Sequence, residues 1–297
     1  MATRTIVGAK AGPAPTARSP RRRFDPAFVA GATIILVIAT ACAVWPAVSG
    51  VSTTGFVAAP LQPPSLSHPF GTDDYGRDVF VRTLAGGRID LSVAAVGVTV
   101  PLVFGTVVGI VSGMLAGSWA DRVIMRVVDA ILAFPFTILI LALSVVIGPS
   151  WHLWGLPAGV PSILVALFVT SWSVYARLAR GETLSIRQRD FIVAARVTGL
   201  GRWTVIHRHV LPNALPATLT YALSDVVLVV GVIAALPFLG AGVQPPTPEW
   251  GGIIYDGRSL LGQAPWISLC PGAVLVLTGL GVRLMGQGSR VLRGGGS

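Results

Sequence analysis

Two carboxylates, Asp129 and Asp225, stand inside long apolar runs, where a charge has to be accounted for. A carboxylate at the centre of a bilayer costs about 2.5–3.5 kcal/mol on insertion scales. Each must therefore face protein or water rather than lipid. Two readings stay open for both residues: a pore-lining group that meets a charged end of a solute, or a structural bond. For Asp129 the bond partner would be Arg126 or a second subunit. Other chemistries find less support. Cys42 and Cys270 sit in apolar runs without metal-ligand spacing, and His68, His152, His207 and His209 form no zinc-like cluster. No Ser-His-Asp or paired-carboxylate pattern stands out, so neither a catalytic nor a metal site is expected. The one lysine, Lys10, lies between Ala9 and Ala11. A P-loop needs Gly-Lys followed by Ser or Thr to hold nucleotide phosphates, so if ATP drives this chain, another chain supplies the ATPase.

The elements that position these residues follow from composition. Only 11% of the 297 residues are charged and 53% are hydrophobic, with mean hydropathy +0.75. Soluble domains carry about 25% charged residues, so much of this surface never meets water. A spanning helix needs about 20 apolar residues. Six segments meet or approach that length: 28–48, 91–114, 125–147, 162–178, 217–239 and 266–284. The expected fold is an all-α integral membrane protein with six transmembrane helices. Pro135 and Pro237 lack an N–H and bend the third and fifth helices.

Net charge is +10, but its layout argues against nucleic acid as a partner. The basic residues come in bursts between charge-free runs, not as a phosphate-tracking stripe. With the amino terminus inside, 18 basic residues fall in inner segments and 4 in outer ones. Both termini are therefore expected in the cytoplasm. Residues 1–24, with Arg21-Arg22-Arg23, read as a disordered cytoplasmic tail, residues 25–290 as the membrane domain, and 291–297 as a flexible tail. Segment 28–48 is too long for the apolar core of a cleaved signal peptide.

Two loops stand out. The cytoplasmic stretch 179–213 is long and basic. Within it Phe191, Ala194 and Ala195 take helical spacing, Asp190 and Arg196 suit the two ends of a helix dipole, and Gly199 and Gly201 end the helix. A second short helix, 202–210, is expected to stop at Leu211-Pro212-Asn213. On the outer side, Pro245-Pro246-Thr247-Pro248-Glu249-Trp250 reads as a stiff extended mouth, with Trp250, Tyr255 and Trp266 as interfacial aromatics.

Ala194-Ala195, Gly199 and the run His209-Val210-Leu211-Pro212 resemble the cytoplasmic signature of permeases from ATP-binding-cassette importers. The family usually has Glu before the two alanines, where this chain has Val193. His68-Pro69-Phe70-Gly71-Thr72-Asp73-Asp74-Tyr75-Gly76-Arg77-Asp78, the run from Met125 to Pro135 and the run from Phe238 to Gly251 resemble the C-type permeases of dipeptide, oligopeptide and nickel importers. The resemblance covers about residues 68 to 286. It implies a coupling helix at 187–201 that docks on an ATPase through Arg189, Asp190, Phe191, Ala194, Ala195, Gly199, Leu211 and Pro212. It implies a second related permease, two cytoplasmic ATPases carrying ATP and Mg, an extracytoplasmic binding protein near Pro245, Pro246 and Trp250, and a place in the bacterial inner membrane among lipid. The chain itself would be no enzyme. The rival is a secondary transporter with Asp129 or Asp225 as proton relay.

Overall fold

The computed structural model describes residues 25–153 and 155–291. The expected tail 1–24, and the part of the expected tail 291–297 beyond Val291, lie outside the described residues. Among those described, regular structure is helical apart from one isolated bridge between Thr72 and Asp78.

Helix α1 (Pro26–Val48) starts where the Asp25 side chain accepts the Ala27 N–H at 2.8 Å. It lies along the last helix, α10 (Trp266–Val291). An outer loop leads to α2 (Val79–Met114), capped by Asp78, whose Oδ1 accepts the Val81 N–H at 2.9 Å. Thirty-six residues at 1.5 Å each reach about 54 Å, beyond a hydrocarbon core of about 30 Å. The helix therefore begins earlier than the expected residue 91 and carries Arg82, Arg88 and Asp90 within it. Composition alone could not show this: Arg82 donates to the Thr53 carbonyl at 2.9 Å and Asp90 accepts the Trp250 N–H at 2.9 Å, while Arg88 stays exposed.

The expected helix over 125–147 is two helices, α3 (Trp119–Leu132) and α4 (Phe136–Ile147), meeting at 90°. Pro135 supplies no N–H and disfavours helical backbone in the residue before it. The chain turns there instead of merely bending. Helix α5 (Val160–Ile186) follows and runs past the expected end at 178, so Arg177 and Arg180 belong to the helix and not to the loop.

The excursion between α5 and the next long helix is thus shorter than expected: α6 (Asp190–Val197), a glycine turn, then α7 (Arg202–Val205). The second helix does not stop at Leu211-Pro212. It passes through a π-helical turn, Ile206–Val210, into α8 (Leu211–Ala235). Pro212 falls in the first turn of α8, where its missing N–H is tolerated. Pro237 sits in a short 3-10 turn that ends α8, so it bends no helix interior. Helix α9 (Trp250–Gly257) follows the proline-rich outer loop. Among the described residues, five helices are long and apolar enough to cross a membrane, and the bent α3–α4 pair makes up to six.

The most extensive packing is α2 against α5. Gly105, Gly109 and Gly113 form one stripe of α2. A methyl group at Gly109 would lie 2.8 Å from Ala179 Cβ, and one at Gly113 2.7 Å from Thr183 Cβ. Small residues at four-residue spacing let the two backbones meet, which is how helices associate in lipid without a hydrophobic drive between them. The spacing is plain in the sequence, but the partner helix is not.

Candidate coupling surface and membrane carboxylates

Helix α6 is pinned by one face. Ile192 and Ala195 are buried against Ile110, Ala179, Ile186, Val205, Val210 and Ala214. The other face, one turn apart at Asp190, Phe191, Ala194 and Val197, is open to solvent. Val197 is 82% exposed and Trp203, just beyond the glycine turn, 75%. This open apolar stripe is flanked by Arg189 and Arg202. The turn is a Schellman end: the Leu200 N–H donates to the Ala195 carbonyl at 3.2 Å, with Gly199 at φ +79°. That left-handed backbone favours glycine.

The stripe is held to the membrane helices at several points. Arg187 donates to the Gly113 carbonyl at 2.8 Å. Arg180 forks onto Asp121 at 2.7 and 2.9 Å, and Ser112 donates to the same carboxylate at 2.6 Å. Fork-shaped pairing fixes geometry as well as charge. Leu211 packs under the same cluster, while Pro212 is exposed. Of the expected coupling residues, then, Arg189, Asp190, Phe191, Ala194, Gly199 and Pro212 face outward. Ala195 and Leu211 face the chain's own interior.

The two membrane carboxylates differ. Asp225 is buried on α8 and accepts a 2.7 Å hydrogen bond from the Tyr175 hydroxyl of α5. Asp129 is open and pairs with Arg177, not Arg126. Both members of that pair are at least half exposed on the surface of the single chain.

On the outer side Pro245 and Pro246 are exposed, but Trp250 is fully buried. This corrects its reading as an interfacial aromatic: the indole N–H donates to the Thr83 carbonyl at 2.8 Å, deep against α2. The segment from Gly71 to Asp78 folds into a tight knot. Asp73 accepts from the Tyr75 and Arg77 backbones at 2.9 Å and from Arg77 Nε at 2.6 Å, and His68 pairs with Asp78 at 2.8 Å.

With this geometry in place the comparisons are decisive. The family described as "Binding-protein-dependent transport system inner membrane component" matches residues 105–287. The dipeptide transport system permease protein DppC of Alkalihalophilus pseudofirmus is 38% identical over 230 residues, 77% of this chain and 72% of that protein. The chain belongs to this permease family. The glutathione transport system permease protein GsiD of Pectobacterium atrosepticum is 37% identical over 227 residues, 76% of this chain and 72% of that protein. In solved structures, the MetNI methionine ABC transporter, in inward-facing conformations, gives a TM-score of 0.57 at 23% identity. It covers 72% of this chain and 96% of that one and supports the fold.

The permease is a subunit of an ATP-driven importer and a multi-pass protein of the inner membrane. The matched span contains α6, Asp129, Asp225 and the outer proline-rich loop. Sequence reading missed two constellations in this permease. One is the Ser112–Asp121–Arg180 network, whose members are too far apart to pair by eye. The other is a buried carboxyl pair, Asp90 and Glu249. Its one local signal was Glu249 directly ahead of Trp250-Gly251-Gly252.

Proposed function

We propose that this permease lines half of an import path for dipeptides or short peptides, and that α6 with its glycine turn is the lever by which ATPase subunits drive it. The observation that carries the lever is the open stripe of Phe191, Ala194 and Val197, backed by a buried face at Ile192 and Ala195. A rigid backing transmits force; an exposed apolar front receives a partner. In the proposed cycle two ATPases close on ATP and Mg, pull the 187–201 loop, and rock α2, α5 and α8 so that the path opens outward. Hydrolysis resets it. Differential contact with two conformations does the work.

A second, related permease completes the path, and an extracytoplasmic binding protein delivers solute near Pro245 and Pro246. Both termini lie in the cytoplasm. The exposed Asp129–Arg177 pair supports placing that flank of α3 and α5 toward water or the second permease, since lipid would penalise both charges. Asp225, closed off by Tyr175, acts as a fastening between α5 and α8. Peptide as solute rests on the peptide-transport relatives.

The test is uptake of a labelled dipeptide by the whole importer reconstituted in vesicles. ATP-dependent uptake, competed by unlabelled dipeptides, is expected. Uptake of another solute class that dipeptides do not compete would overturn the substrate assignment.

A further inference from the structure

We propose that Asp90 and Glu249 share a single proton, and that this carboxyl–carboxylate bond is a pH-sensitive clasp holding the start of α9 onto α2. The location at an outer mouth rests on the importer reading; the shared proton does not.

The dock is built by two glycines. A methyl group at Gly86 would lie 2.9 Å from Glu249 Cα, and one at Gly87 would run into the Trp250 ring and the Cys42 sulfur. Their absence of side chains lets the Glu249-Trp250 backbone lie directly on α2. Trp250 fills the space, and its backbone N–H donates to Asp90 Oδ2 at 2.9 Å. Glu249 caps α9, accepting from Gly251 at 3.1 Å and Gly252 at 2.8 Å.

Both carboxyls are 1% exposed. Every hydrogen bond that Glu249 accepts comes from the start of α9. Asp90 has one oxygen bonded to Trp250, and among the described residues no N–H or O–H donor reaches its other oxygen, Oδ1. A buried carboxylate oxygen with no donor is costly, and two adjacent buried carboxylates cannot both ionise. One proton between them removes both difficulties: Glu249 donates to Asp90 while keeping its own acceptor bonds to Gly251 and Gly252. In keeping with this, burial first and the charge of Asp90 second hold the Glu249 carboxyl well above the usual carboxylate range.

The other groups around the pair are few. Cys42 faces it from α1. Arg77, Arg82, Tyr255 and Asp256 face Glu249 across a cavity of about 230 Å³ in the outer surface. The sign follows from the raised Glu249. A carboxyl whose folded value lies above its unfolded value favours the folded arrangement at low pH. That contribution is lost as pH rises through the folded value, when the second charge appears. The clasp is therefore firmest below the usual carboxylate range and loosens progressively as pH rises through the raised folded value of Glu249.

The test uses the full chain in lipid nanodiscs, as wild type, Glu249→Gln and Asp90→Asn. Asp90→Asn supplies an N–H for the same bond without the proton; Glu249→Gln does so as well, giving up one of the two N–H bonds accepted from Gly251 and Gly252. Infrared spectra of the wild type at neutral pH should show a protonated-carboxyl band that is absent in both variants. Amide exchange across Trp250–Gly257, normalised to intrinsic rates, should rise several-fold for the wild type as pH is raised from the usual carboxylate range, and stay flat for Glu249→Gln. The proposal is overturned if neither substitution removes such a band, or if exchange in Glu249→Gln follows the wild-type pH profile. It is also overturned if both isosteric variants fail to fold at neutral pH. None of these readouts requires transport, so failure of the importer reading would leave them interpretable.

Discussion

Ala194 and Ala195 are chain neighbours with opposite fates: Ala194 is open to solvent, and Ala195, 7% exposed, lies against the α2, α5 and α8 cluster. The small side chain of Ala195 lets α6 sit on its own chain, and in the proposed lever Ala194 leaves room for a partner. The two roles separate experimentally. Ala194→Asp should leave thermal stability within about 0.5 kcal/mol, as surface changes do. It should cut ATP-driven uptake by at least about tenfold, the effect of losing about 1.4 kcal/mol at an interface. Ala195→Asp should instead lower the yield of folded chain, because it buries an unpaired charge. Folded yield by size-exclusion chromatography and uptake in vesicles distinguish the two.

The Tyr175–Asp225 bond predicts a pattern across single and double variants. Tyr175→Phe leaves a buried carboxyl without its donor and should cost about 1–3 kcal/mol of stability. Asp225→Leu strands the hydroxyl and should lower stability and impair uptake. Making both changes together should recover much of the stability, since replacing both partners of a buried bond with apolar groups is close to neutral. Thermal unfolding of the four proteins gives the coupling energy. Additive losses would show that the bond does not fasten α5 to α8.

Close backbone approach between α2 and α5 predicts that Gly109 tolerates nothing larger. Gly109→Leu should separate the helices and cost more than about 2 kcal/mol, the usual range for overpacking being about 1–3 kcal/mol. Gly117→Leu, by contrast, meets open space. Its cost should be only the backbone strain of φ +88°, about 1–2 kcal/mol. Unfolding midpoints rank the two.

The sequence carried the membrane architecture through quantities that are local. Apolar length marked most of the spans, and Gly199 marked the end of α6. What escaped it depends on partners far along the chain. The carboxylate that holds Arg180 inside α5 is 59 residues away, and the one that receives the Trp250 N–H is 160 away. Because Arg180 is paired and Asp90 hydrogen-bonded across such distances, α2 and α5 run beyond the limits that local polarity would set. Trp250 was misjudged for the same reason: its type fits an interface, and only the glycines at 86 and 87 reveal the slot that buries it. Pro212 and Pro135 show that proline alone does not determine an outcome. The first sits harmlessly in an opening turn, and the second ends its helix altogether.

The central claim is that the open face of α6 receives an ATPase, and cysteine cross-linking at that face tests it most directly. Ala194→Cys, in a chain with Cys42 and Cys270 replaced by Ala, is treated with a short maleimide–diazirine cross-linker and illuminated in membranes that hold the whole importer. The account predicts one adduct of permease with ATPase, its yield changing on addition of ATP, and no such adduct from a cysteine at the buried position 195. An equal yield from both positions, or no ATPase adduct from position 194 in membranes that still import solute, would contradict it.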